Sequence, residues 1–198
     1  MPFRPSHPAL DKALADQGYA EPTPVQSAVL DAPAGADLLV SAQTGSGKTV
    51  AFGLTAAAAL LGDAPRFGTP GEPMLLVVAP TRELALQVSR EFEWLYAPAG
   101  GQVITCVGGM DARREQRALA QGAHVVVGTP GRLRDHLDRG NIDLSGLKVA
   151  VLDEADEMLD MGFREDLEAI LDATPAERRT LLFSATLPRE IVALARRY

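Results

Sequence analysis

Short apolar runs of strand length recur along the chain, separated by longer stretches with helical spacing. The runs are Leu38-Leu39-Val40, Met74 to Ala79, Gln102 to Val107, Val125-Val126-Val127, Val149 to Leu152 and Leu181 to Phe183. Met74 to Ala79 is apolar without interruption, the mark of a strand buried on both faces of a parallel sheet. Between the runs, Leu10 and Leu14 stand at i, i+4 inside the segment Phe3 to Gln17 and predict a short helix after a proline-rich lead. Further helices are predicted from Thr23 towards Leu30, over Val50 to Leu61, and from Glu83 through Val88 and Phe92. Others follow Gly108-Gly109, run from Arg132 to about Asp138 and over Phe163 to Asp172, and start at Pro188. Gly62 to Pro73 is dense in glycine and proline and reads as an exposed loop. This alternation has βαβ spacing throughout, so the pattern predicts an α/β fold: one open, mostly parallel sheet with helices on both faces. Ligands of such sheets gather beyond the C-terminal strand ends, and each unusual short sequence in this chain falls at one of them.

The first is Ala42-Gln43-Thr44-Gly45-Ser46-Gly47-Lys48-Thr49, between a strand and an alanine-rich helix. A tight glycine-bearing loop at a helix N-terminus surrounds phosphates with backbone N–H groups. Lys48 would add a point charge between the β- and γ-phosphates, and the Thr49 hydroxyl would ligand Mg²⁺. The usual pattern begins with glycine where this chain has Ala42, the smallest substitute.

Composition narrows the setting. At 198 residues the chain is about one domain, and 46% hydrophobic content suits a globular protein. The single cysteine, Cys106, permits no internal disulfide and fits a reducing cytosol. No run reaches the roughly 18 apolar residues of a membrane span, and the N-terminus lacks the form of a signal peptide, so a cytoplasmic protein with no membrane partner is expected. The net charge of −7 weighs against a broadly basic nucleic-acid surface, yet Arg82, Arg113, Arg114, Arg117, Arg132 and Arg134 concentrate positive charge between residues 82 and 139.

Asp153-Glu154-Ala155-Asp156 follows an apolar strand directly, setting carboxylates at the sheet edge where Thr49 would hold Mg²⁺. Asp153 suits a metal ligand, and Glu154 suits a group that polarises a water for in-line attack on the γ-phosphorus. Asp156 suits a tether between loops. Together with Pro80-Thr-Arg-Glu-Leu84, Gly108-Gly109, Thr129-Pro-Gly-Arg132 and Ser184-Ala-Thr186, this chain resembles the first RecA-like domain of a DEAD-box RNA helicase. The resemblance spans nearly the whole chain, with six signatures in the family's order, and the family's phosphate loop commonly begins with alanine.

The resemblance implies a P-loop NTPase domain that uses ATP and Mg²⁺, residues 1–28 forming a Q-motif segment and 29–198 the core. It implies that Gln26 recognises the adenine edge, helped by the backbone of Glu21 and the side chain of Thr23, with Phe3 as the aromatic that stacks on the base. It implies that Thr81, Arg82, Gly109, Thr129 and Arg132 grip the RNA sugar-phosphate backbone without sequence readout, and that Ser184 and Thr186 link nucleotide state to RNA binding. The family's second RecA-like domain carries the arginine fingers and the other half of the RNA site, so these 198 residues alone are expected to bind adenine nucleotide and hydrolyse ATP barely. The competing expectations are a non-enzymatic, nucleotide-dependent RNA- or protein-binding module and a DNA translocase or other P-loop ATPase.

Overall fold

The computed structural model describes residues 2–3 and 6–198. Its strands are β1 Leu38–Ser41, β2 Leu75–Val78, β3 Val103–Cys106, β4 Val125–Gly128, β5 Val149–Leu152 and β6 Arg179–Ser184. They form one six-stranded sheet in the order β1-β6-β5-β2-β4-β3, every pairing parallel. The helices are α1 Pro8–Asp16, α2 Pro24–Asp31, α3 Lys48–Leu61, α4 Arg82–Tyr96, α5 Ala112–Gln121, α6 Pro130–Asp138, α7 Ala155–Asp160, α8 Arg164–Asp172 and α9 Arg189–Arg197. All six apolar runs became strands. The helix predicted within Phe3 to Gln17 occupies Pro8–Asp16, and Arg4 and Pro5 of that segment lie outside the described residues. α7 was not foreseen, and is too short to show a period.

Successive side chains of a strand point to opposite faces, and each face of this sheet has its own core. Leu75, Val77, Val125, Val127, Val149, Val151, Leu181 and Phe183 pack with α1 to α4. Leu76, Val78, Val126, Ala150, Leu152 and Leu182 pack with the other face's helices through Leu133, Met158, Leu167, Ile170 and Ile191. The central strands β2, β4 and β5 are buried along their length, as their unbroken apolar sequences require. On the first face α3 and α4 approach closely at Gly53, where a Cβ would stand 2.6 Å from Leu95 Cδ2. The Tyr96 hydroxyl donates to the Gly53 carbonyl at 2.6 Å across the same contact.

The glycine- and proline-rich segment 62–73 is irregular, as expected, but it is pinned. Phe67 N–H donates to Ala99 O at 2.8 Å, and the Phe67 ring stacks on His124 with centroids 4.6 Å apart. Gly71 bridges Ala123 in antiparallel fashion. One partly buried aromatic thus anchors a segment whose composition alone suggested a free loop.

Candidate functional site

The phosphate-type loop leaves β1 at the sheet edge. Ala42 is buried, and its N–H donates to Ser184 O at 3.1 Å, tying the loop's first residue to the end of β6. Gly45 and Gly47 take φ of 82° and 80°, conformations that a residue with a Cβ adopts only at a cost. Gly47 begins α3 without a side-chain cap, so the helix's first N–H groups face the loop.

The segment before α2 reaches across to hold this loop. Thr23 and Gln26 form a capping box, Thr23 Oγ1 accepting from Gln26 N–H at 3.3 Å and Gln26 Oε1 accepting from Thr23 N–H at 2.9 Å. The same side chains donate outward: Thr23 Oγ1 to Ser46 O at 2.7 Å and Gln26 Nε2 to Gly47 O at 3.0 Å. Gln26 is fully buried and Glu21 is exposed in the approach to α2. Capping and loop contact are therefore one arrangement.

Opposite the loop, β5 delivers Asp153, whose N–H donates to Val78 O at 2.9 Å. Lys48 Nζ lies 2.8 Å from Asp153 Oδ1 and 3.7 Å from Glu154 Oε2. Lys48 and Asp153 form a buried ion pair, Glu154 Oε2 is buried beside them, and Ser46 Oγ is buried with no hydrogen-bond partner. Buried polar atoms are normally satisfied, so the unpartnered Ser46 hydroxyl beside this charged cluster suits a polar ligand. A lysine ammonium, an unsatisfied hydroxyl and two carboxylates beside Thr49 suit a phosphate chain with a divalent cation. Burial pushes the Asp153 carboxyl above its ordinary range, against the pull of Lys48. Glu154 sits in the left-handed region, φ 53° and ψ 52°, and its Oε1 accepts from Thr44 Oγ1 at 3.4 Å.

The pocket between these groups is lined by Thr44, Lys48, Thr49, Asp153 and Glu154, and also by Tyr19, Gln87 and Glu91, which sequence reasoning missed. Its volume of about 80 Å³ falls below the ~300–1,000 Å³ of enclosed ligand sites, so a nucleotide would lie across this surface rather than inside it. Burial pushes the Glu91 carboxyl up, while a hydrogen bond with Thr49 pulls the other way. Tyr19 stacks on Trp94 of α4 with ring centroids 5.4 Å apart. Phe3, the aromatic singled out from the sequence, packs against the core on the α1–α4 face and does not line this pocket.

Behind Glu154, Asp156 Oδ2 accepts from Thr186 N–H at 3.1 Å and from Thr186 Oγ1 at 2.9 Å, while Ser184 Oγ donates to Thr186 O at 2.6 Å. Burial pushes Asp156 up, but the Thr186 and Glu157 bonds outweigh it and hold the carboxyl below the usual carboxylate range.

The remaining predicted residues gather beyond β2, β3 and β4. Thr81 caps α4 by accepting from Leu84 N–H at 3.3 Å, and Arg82 is exposed one residue on. Gly109, at φ 82°, comes so close to Arg82 that a Cβ there would stand 3.1 Å from its Nη1. Thr129 begins α6 without spending its hydroxyl on a cap. Arg132 turns inward instead, donating through Nη1 to Met110 O at 3.0 Å and Glu115 Oε1 at 2.8 Å. Beside it, Cys106, Glu115 and His136 bring three possible metal-ligand atoms within 4.8 Å of one another. Glu115 is already occupied by protein donors, and burial, helped by the charge of Glu115 and opposed by Arg132, pushes the Cys106 thiol up to about 12. Within the protein alone, Glu115 and Arg132 thus satisfy each other and the Cys106 thiol is packed among apolar neighbours.

An all-parallel sheet whose edge strand feeds a glycine loop, with a buried lysine facing an acidic strand end, defines the RecA-like class of P-loop domains. Within that class the match is specific: the DEAD/DEAH box helicase profile covers residues 23–194, and the chain belongs to this family. It is 44% identical to the DEAD-box ATP-dependent RNA helicase CshA of Bacillus licheniformis over 96% of this chain and 38% of that protein. Against the ATP-dependent RNA helicase DeaD of Haemophilus influenzae it is 46% identical, covering 94% of this chain and 30% of the relative. A DEAD box protein from the hyperthermophile Methanococcus jannaschii superimposes with a TM-score of 0.87 at 36% identity, over 100% of this chain and 53% of the other. The chain thus spans less than two fifths of these curated relatives. Among the described residues, no helix is long and apolar enough to cross a membrane.

Proposed function

We propose that this chain is the nucleotide-binding N-terminal domain of an ATP-dependent RNA helicase, in which ATP binding and hydrolysis drive local separation of RNA duplexes. The observation that carries the reading is the buried Lys48 ammonium held between the Asp153 and Glu154 carboxylates beneath a glycine loop braced by Thr23 and Gln26. Lys48 and the N–H groups of residues 43–49 receive the phosphates, and Glu154 orients the attacking water. Thr49 and Asp153 would hold Mg²⁺, directly or through water, which would offset triphosphate charge. The backbone and amide groups around Glu21, Thr23 and Gln26 meet the adenine edge, with Phe3 as the aromatic that stacks on the base.

RNA backbone meets Thr81, Arg82, Gly109 and Thr129, and the Asp156–Thr186 contact conveys nucleotide state between the two regions. A second RecA-like domain of the full-length protein completes both sites, and a cytoplasmic setting agrees with one buried free thiol. The experiment is a titration of ADP against GDP on this chain, with ATP turnover measured with and without single-stranded RNA. Selective ADP binding with negligible turnover is expected. Brisk RNA-stimulated turnover by the chain alone would overturn the half-site reading, and equal ADP and GDP affinity would overturn the adenine assignment.

A further inference from the structure

Arg132 is the one residue among the RNA-facing set whose charged group is spent inside the protein. Its side chain is only 15% exposed, and the Glu115 carboxylate it meets is 7% exposed. Glu115 belongs to the first turn of α5 and gathers donors from three places. Oε1 accepts from Arg132 Nη1 at 2.8 Å and from His136 Nε2 at 2.9 Å, while Oε2 accepts from Val107 N–H at 3.0 Å. On the other side of the ring, Asn141 Nδ2 lies 3.1 Å from His136 Nδ1.

The geometry of the neighbouring turn explains what this network holds. Met110 N–H donates to Val107 O at 3.4 Å with Gly109 at φ 82°, the pattern of a tight turn centred on Gly108-Gly109. Glu115 holds the N–H of the turn's first residue, and Arg132 holds the carbonyl of its last. One buried ion pair therefore grips both ends of the turn, and of the two exposed glycines between them Gly109 sits against Arg82. Drawing Arg132 out to a phosphate would strip Glu115 of its cation and leave a buried charge uncompensated, which is heavily penalised.

We propose that Glu115, Arg132 and His136 are positioning residues that clamp the Val107–Met110 turn against the start of α4, and that Arg132 itself makes no phosphate contact. This rests on the RNA reading above. The backbone of Gly108-Gly109 and the guanidinium of Arg82 then form the binding surface, and its shape depends on a clamp one layer below.

The test is the affinity of this chain for a fluorescent oligouridylate across a range of salt concentrations, for the unaltered chain, Arg132→Gln, Glu115→Gln and the double variant. A lost phosphate contact lowers the log–log salt slope by about 0.7 for a single strand. The clamp predicts that each single variant loses about tenfold in affinity, the scale of one charge-assisted hydrogen bond, with the slope unchanged. It predicts that the double variant is no weaker than either single one, because both break the same contact. A slope reduced in Arg132→Gln while Glu115→Gln binds like the unaltered chain would overturn the proposal, as would unaltered affinity in either variant. Hydrogen exchange of the Val107 to Asp111 amides decides the clamp without RNA: faster exchange in both single variants is expected, and equal exchange refutes it. If the unaltered chain binds no RNA, the RNA reading alone falls. ADP affinity, read on the same samples, stays unchanged in variants that keep the fold.

Discussion

Among the described residues Glu154 is alone in holding a positive φ without being glycine, and this makes a sharp prediction about stability. An L-residue in the left-handed region costs roughly 1–2 kcal/mol because Cβ crowds the following carbonyl. Glycine escapes that cost but loses about 0.5–1 kcal/mol in chain entropy. Glu154→Gly and Glu154→Ala delete the same carboxylate, so both lose its 3.7 Å approach to Lys48 and its hydrogen bond from Thr44. Their difference isolates the backbone. Glu154→Gly is expected to be about 0.5–1 kcal/mol more stable than Glu154→Ala, the reverse of the order in an ordinary helix or strand. For a domain of this size the gap in Tm is about 1–4 °C. Paired urea and thermal unfolding of the two variants without nucleotide measures it. Equal stability, or a more stable alanine variant, would mean that the turn relaxes and stores no strain at Glu154. The expected result would show a site residue kept in a costly conformation that turns its carboxylate into the cleft.

Other substitutions follow from the loop and its braces. Gly47→Ala places a Cβ 2.6 Å from Gln26 Nε2 at a φ of 80°, so ADP affinity, measured by titration calorimetry, is expected to fall at least about tenfold, a ~1.4 kcal/mol effect. Thr23→Ala removes the α2 cap and the bond to Ser46 O; a loss of about 0.5–2 kcal/mol in unfolding free energy is expected, with weaker ADP binding in the same preparation. Lys48→Ala is expected to abolish nucleotide binding, whereas Glu154→Gln spares it; equal loss in both would remove Glu154 from the chemistry. Asp156 has its folded pKa held down, so the stability it contributes is present above its unfolded value of about 3.9 and is lost as pH falls through the lower folded value. The Thr186 amide shift in NMR is expected to titrate with a midpoint below ~3.9, and a midpoint above it would refute the bond's role.

The strands were legible because two-sided burial leaves no polar positions in β2, β4 and β5. The glycine loop and the carboxylate pair stand out in the sequence because the chemistry proposed for them depends on local spacing. What escaped depends on contacts between distant elements. Glu91 looks like any charged position on α4 until the fold turns it towards Thr49, and Tyr19 gains its place only by stacking on Trp94. From the sequence Arg132 belongs to the RNA-facing set, and nothing local announces that its guanidinium also meets Glu115, a buried acid seventeen positions earlier. α7 escaped because Ala155–Asp160 starts from a left-handed residue and stops at a glycine turn before any period develops.

The strand order also divides the work of the sheet. β1, β6 and β5 carry the phosphate loop, the Ser184–Thr186 segment and the carboxylates, whereas β2, β4 and β3 carry the loops proposed to meet RNA. Edge to edge this spans about 24 Å at the ~4.8 Å strand spacing. One helix spans the divide: α4 starts at Arg82 beside Gly109 and, further along, presents Gln87, Val88 and Glu91 to the pocket proposed to take the nucleotide. A helix of 15 residues is a stiff rod of about 22 Å. Arg82 and Glu91 thus belong to one rigid element, and both precede the point where Leu95 of the same helix rests on Gly53 of α3.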